Sequence, residues 1–397
     1  MKARHISLLL LLAILLPLTL VSCGTGSSTA LFKNFVGSCT LPNKQSVTYT
    51  IRQTSFQEHT LNNGWSPDSQ HIAFADSNGR VAVYDVQSNK TVATLTPTMH
   101  ASSPEWTNNG RIFFSSRPDG AGQGPASNAS HHTPPDFYVM NASGSGLQHI
   151  PISNEFPSGP QTIYWDSSTP VKVSPDGKHV AFSTIQDVLI QNRKLVRGYW
   201  IMLLGDIVLV DGHLQVRNMR KLNAPSPFWY EAKGFTHDGT QLLFASTRGN
   251  GQGNSTVNPD VYTMNLASGA ITRYTHNPAW EETMDIPPSK QFVVFNSDRA
   301  NLSLGPSQIA PSHNNTSSFL QVLTAKTAHH DLYLSSPQGD AGWTCHLTFY
   351  GNPDQGGWAA TQPRWSPNGQ SIRFQETKMK SSATLLLTFS HLPATFP

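Results

Sequence analysis

Three arginines take equivalent places in this 397-residue chain. Arg117 follows RIFFSS, Arg248 follows QLLFAST and Arg299 follows KQFVVFNSD, each directly after an apolar, alternating run. A guanidinium is a planar fork that binds carboxylates through two hydrogen bonds. Arginines repeated in this way could converge on an acidic or carboxylate-bearing ligand. Asp136, Asp260 and Asp331 open the next apolar run of the same three units, and each could instead pair with the arginine of its own unit. Two readings therefore stand: a ligand site built from these six residues, or a set of internal ion pairs. His131-His132 and His329-His330 precede the aspartates. Imidazoles beside carboxylates suit zinc and similar ions. Adjacent histidines on a loop seldom both point inward, however, and no metal is assigned. Glu281, Glu282 and Asp285 could serve acid–base chemistry or line a water-filled opening. No Gly-x-Ser-x-Gly elbow is present, and the two Gly-Gln-Gly segments lack the strand-to-helix context of a phosphate cradle. The reading assigns no catalytic residue and no cofactor.

The elements that must position these residues repeat. Six segments share a hydrophobic anchor, a turn and an apolar strand. They begin at Trp65 (WSPDS), Trp106 (WTNNG), Val173 (VSPDG), Phe235 (FTHDG), Ile286 (IPPSK) and Trp365 (WSPNG). Pro pre-sets the turn's backbone angle, Asp or Asn bonds back to the chain, and Gly accepts positive φ. The runs after the turns alternate with period two, as half-buried strands do. A second hairpin follows in most units: DFYVMN with LQHI, DVYTMN with AITRYT, and DLYL with CHLT. Asp206-Ile207-Val208-Leu209 is read as the matching strand of the third unit and Val81 to Asp85 as that of the first. Four strands in each of six repeats predict an all-β fold, a six-bladed β-propeller of four-stranded antiparallel blades. Its longest connections, between second and third strands, fall in units two, four and five, and loops on a rigid scaffold are where binding usually resides.

The string W-S-P-D-G, apolar strand, S-D-R, loop, D-[VLF]-Y-x-M-N, turn, L-T resembles the TolB-type (WD40-like) propeller repeat, from about residue 60 to the end of the chain. The resemblance implies the fold. TolB proteins also carry an N-terminal α/β domain that engages translocation partners, and too few residues lie between Cys23 and Trp65 for that domain. Some propeller enzymes of related repeat type, including pectin-fragment lyases, use His and a metal in the central channel. A channel-based, metal-dependent lyase or hydrolase acting on saccharides is therefore the alternative to a non-catalytic binding function.

The N-terminus bears on compartment. Lys2, Arg4 and His5 precede an apolar run, Ile6 to Leu20, which closes on Leu20-Val21-Ser22-Cys23. This is the form of a signal peptide, and the tetrapeptide resembles a bacterial lipobox with Cys23 as the lipidated residue. The expected organisation is a signal peptide over 1–22, a lipidated tether and linker over 23–40 and the propeller over 41–397. Cys39 and Cys345 remain as a pair in an oxidising compartment and are expected to form a disulfide. Ring closure follows from strand counting: the last unit lacks a fourth strand, and QSVTYTI (45–51) can supply it from the N-terminus, which brings Cys39 towards the fifth blade. Charged residues are only 13% of the chain and the net charge is +3, with no basic cluster to engage nucleic acid. The expectation is a monomer in the cell envelope, outside the cytoplasm (periplasmic or surface-exposed). It would be held to a membrane by its lipid and bind a protein, peptide or glycan.

Overall fold

A computed structural model describes residues 34–56, 64–116, 136–152, 163–164, 171–191, 194–224, 228–248, 259–300, 330–350, 358–378 and 381–392. Within them every sheet is antiparallel and no α-helix occurs. Blade 1 comprises Gly64–Trp65, His71–Ala75, Val81–Asp85 and Lys90–Thr94. Blade 2 follows with Ala101–Trp106, Arg111–Ser116, Asp136–Asn141 and Gln148–His149. Blade 4 has Tyr230–Phe235, Gln241–Ser246, Asp260–Asn265 and Ile271–Arg273, and blade 5 has Met284–Asp285, Val293–Ser297, Asp331–Ser336 and Gly339–His346. In each, neighbours in sequence are neighbours in the sheet.

The six first turns show why the repeat folds as it does. In WSPD and its variants the Ser or Thr hydroxyl donates to the Asp or Asn two residues on, as in Ser66–Asp68 (2.5 Å), Ser174–Asp176 (2.6 Å) and Ser366–Asn368 (2.7 Å). The same carboxyl or amide oxygen accepts the backbone N–H of Gln70, Lys178 or Gln370, which locks the reversal. The position after it needs positive φ, supplied by Gly177 and Gly369, and by Ser69 and Lys290 where glycine is missing. The strands that follow present apolar residues to both sides, and six apolar clusters form, one at each junction between blades.

Blade 3 departs from the repeat. Its second strand, His179–Gln191, and third strand, Lys194–Val210, form a long hairpin paired out to Gln191 and Lys194. Lys172–Val173 and His213–Lys221 complete the blade. Asp206 pairs with His179 at the start of the second strand, so it lies at the far end of the third strand. Its counterparts are Asn141 and Asn265, not Asp136 and Asp260, and Ile201 stands opposite Thr184 where those aspartates would align. Asp206-Ile207-Val208-Leu209, read from the sequence as the matching strand of the third unit, does lie in that strand, but at its far end.

Blade 6 closes the ring from both ends of the chain. Trp358–Trp365, Ser371–Lys378 and Ser381–Phe389 supply three strands, and Ser46–Gln53 pairs with the third from Tyr49↔Phe389 to Gln53↔Leu385. Phe35–Thr40 adds a fifth strand outside it, in the segment expected to be linker. Cys39 on that strand is bonded to Cys345 on the outer strand of blade 5, across 306 residues of sequence.

Candidate functional site

The aspartates that open the third strands are held by their own blades. Asp136, Asp260 and Asp331 stand opposite Ser116, Ser246 and Ser297. Two residues on, Tyr138, Tyr262 and Tyr333 face a basic residue on the fourth strand: His149, Arg273 and His346. That residue lies diagonal to the aspartate, within reach of a long side chain. Asp136 meets His149 at 3.2 Å, Asp260 meets Arg273 at 2.7 Å and Asp331 meets His346 at 2.9 Å. His346 also stacks on Tyr333 with ring centroids 4.5 Å apart. The aspartates do pair within their own blades, and in blades 4 and 5 the partner is the fourth-strand base and not the arginine after strand two. The signal lay in the quoted segments LQHI, AITRYT and CHLT, each with one base at the same register.

The three arginines diverge. Arg117, with His131, His132, His329 and Cys23, lies outside the described residues. Arg248 is exposed and forms no ion pair among the described residues. Arg299 is stacked over Phe295 and Tyr333, 4.8 and 5.0 Å from the ring centroids, and its Nη2 donates to Glu281 (3.0 Å) and Asp340 (3.1 Å). This cluster sits at the junction of blades 4 and 5. Glu281 is fully buried, and one of its oxygens also accepts from Ser297 (2.6 Å) and Asn277 (3.0 Å) while the other has no hydrogen-bond partner among the described residues. Burial pushes the Glu281 carboxyl up to about 7, against the pull of Arg299 and its hydrogen bonds. Burial likewise raises Asp260 to about 6 despite Arg273. His330 is buried, accepts at Nδ1 from the Asn296 amide (2.9 Å) and lies edge-on to Trp280. Among the described residues no group of three or more His, Cys, Asp or Glu could hold a metal ion.

Glu282 and Asp285 turn instead towards the axis, where the inner strands converge. The residues just before the six anchors are Gly64, Glu105, Lys172, Gly234, Asp285 and Arg364. All but Lys172 line a cavity of about 100 Å³ at the first-turn end of the channel, walled by Trp65, Trp106, Trp365 and Phe235. Acids on one blade hold the next: Glu105 accepts from Val173 N–H (2.9 Å), and Asp285 from Trp365 N–H (2.7 Å). Arg364 crosses to donate to the carbonyl of Lys233, where Gly234 leaves room; a Cβ there would lie 2.4 Å from the guanidinium. Deeper in, Lys233 Nζ sits between Glu231 (2.6 Å) and Glu282 (2.9 Å). Burial alone would lower the Lys233 pKa, and those two carboxylates outweigh it and hold the ammonium charged. Lys172 has Glu105 beside it at 3.6 Å, and burial brings it down to about 7. Sequence reasoning missed Arg364, Lys233 and Lys172 because each stands just before or within an inner strand, where side-chain direction depends on bulges at Ser102/Glu105, Ala232/Gly234 and Thr361/Arg364.

No protein-family model and no curated protein sequence matches the chain. Solved structures do. The chain is similar to TolB from Acinetobacter baumannii, at 15% identity and a TM-score of 0.44, over 83% of this chain and 62% of that one. It is similar to a putative TolB from Agrobacterium tumefaciens (13%, TM-score 0.46, 90% and 98% covered). It is also similar to an oligogalacturonate lyase solved with manganese (11%, TM-score 0.44, 90% and 97% covered). The chain thus spans about six-tenths of the Acinetobacter protein. At such identities the likeness concerns the fold alone, and the six-bladed architecture rests on the strand pairing itself.

Proposed function

We propose that the chain is a lipid-anchored, extracytoplasmic propeller that binds a protein, peptide or glycan ligand without transforming it. The observation that carries this is the state of the axial charges. Glu105, Asp285 and Lys233 are engaged with backbone groups or charges of neighbouring strands and blades, so they brace the ring. Acid–base or metal chemistry needs groups free to act on a substrate. The Cys39–Cys345 disulfide supports a location outside the cytoplasm, since such bonds persist in oxidising compartments. The candidate surface is the face on which the second strands end and the third begin, where Arg248 is exposed. Asp136, Asp260 and Asp331 open their third strands there and Arg299 follows its second strand; Arg117 follows the second strand of its unit in sequence. Incubating the purified protein with peptide and polysaccharide fractions of a cell envelope, then weighing what it retains, tests the proposal. A retained species of unchanged mass is expected. Stoichiometric manganese or zinc in the protein, together with shortened saccharide products, would replace binding with the lyase or hydrolase alternative.

A further inference from the structure

We infer that the axial funnel at the first-turn face is a binding site for a small carboxylate end group, received by Arg364. This rests on the reading of the chain as a binding propeller and locates one contact of its ligand, on the face opposite the long connections. A guanidinium carries five N–H donors. Arg364 uses Nη2 on the Lys233 carbonyl and forms no other hydrogen bond among the described residues. Its nearest carboxylate there is Asp285, 4.0 Å away. Both Asp285 oxygens are already occupied, one by Ile286 N–H (2.9 Å) and one by Trp365 N–H (2.7 Å). Glu105, the other acid lining the funnel, holds Val173 N–H and has Lys172 beside it. Each acid thus holds a backbone N–H, while the guanidinium, with one hydrogen bond and the Asp285 carboxylate 4.0 Å away, has further N–H donors to offer. Buried or half-buried charge of this kind is worth satisfying, because a charge-assisted bond strengthens where water is thin. Trp65, Trp106, Trp365 and Phe235 provide that environment.

Two further features make the place look built. Gly234 has φ +149, and any side chain there would collide with the Arg364 guanidinium. The cavity, about 100 Å³, is smaller than the roughly 150 Å³ apolar cavities that take a benzene ring. It admits a carboxylate with a few carbons, which means the end of a ligand and not its middle.

The test compares propionate with its uncharged isostere propionamide, by ligand-observed NMR on the purified protein. Saturable binding of propionate is expected, with propionamide weaker by about tenfold or more, the loss of one charge-assisted contact. Arg364→Gln should abolish the preference. Arg364→Lys should retain part of it, since the charge stays and the fork is lost. Should the glutamine variant fail to fold, the wild-type comparison and the lysine variant decide. A wild type indifferent to the charge, or a preference that survives Arg364→Gln or disappears in Arg248→Gln, would overturn the site. Loss of the propionate response with envelope ligands still retained would end this inference and leave the binding function standing.

Discussion

Glu281 is fully buried against the partly exposed Arg299, and the consequence is a pH dependence with a definite sign. Its carboxyl sits at about 7 in the fold, raised by burial from an ordinary 4.5, so the folded state holds the proton more tightly than the unfolded chain. That contribution is fully present below the unfolded value and is lost as pH rises through about 7. Asp260, at about 6, acts with the same sign in a lower window. Urea unfolding between about pH 5 and 6.5 should therefore show falling stability with rising pH; above that window Lys172, brought down to about 7 in the fold, contributes with the opposite sign. Glu281→Gln should flatten the upper part of that slope and leave the Asp260 part. An unchanged slope in the variant would show that the Glu281 proton is not linked to folding. The residue types at this junction were legible in the sequence, and their pairing was not. Arg299 was visible as the base after strand two, but its partner Glu281 comes from the lead-in to blade 5's inner strand and Asp340 from its outer strand. Only the packed blade brings those segments within 3 Å or so of one guanidinium.

Among the elements, the five-stranded sixth blade carries the most consequence. Its outermost strand, Phe35–Thr40, pairs on one side only, with Ser46–Gln53. The disulfide from Cys39 to Cys345 fastens that strand to blade 5. In the chain-entropy account a cross-link closing some 300 residues stabilises by about 5 kcal/mol, and measured bonds often give less. The double variant Cys39→Ser/Cys345→Ser should therefore unfold at lower denaturant by about 3–5 kcal/mol, with little change in its far-ultraviolet circular dichroism. A drop under about 1 kcal/mol would show that the strand holds without the bond. The closing strand was readable because QSVTYTI alternates and the last repeat was one strand short. The fifth strand escaped notice because FVGSCT has glycine and small polar residues in place of a β-branched alternation. Its pairing comes from the neighbour and not from its own propensity. Blade 3 taught the same lesson in reverse. Its extended hairpin breaks the repeat's spacing, and Asp206-Ile207-Val208-Leu209 falls at the strand's far end.

At the scale of the molecule, six blades share six apolar junctions, and the ring is held shut by the pairing of residues 49–53 with 385–389. A chain that begins at residue 55 would leave the last blade with an open edge and its apolar face uncovered, a template for aggregation. Such a truncation should aggregate on refolding, read by size-exclusion chromatography; a monomeric, cooperatively melting product would show that closure is dispensable. The lipid proposal belongs at this scale too. Cys23→Ala should move the protein from the membrane to the soluble fraction with its melting temperature unchanged, because the anchor precedes the first described strand. Retention in the membrane fraction would set lipidation aside.

What the residues determine by themselves is local and periodic. Turn chemistry in WSPD-like segments, alternation in the runs after them, and the count of six need only neighbours in sequence, so the propeller and its closure could be read from the chain. The tertiary structure alone decided which charges meet. Arg364 reaches the axis through the space left by Gly234 and touches the carbonyl of Lys233, 131 residues away. Asp260 chooses Arg273 over Arg248 because the fourth strand lies diagonal to it. Side-chain direction at a bulged inner strand, and distance across a ring, depend on how all six blades pack, and no window of sequence contains that information.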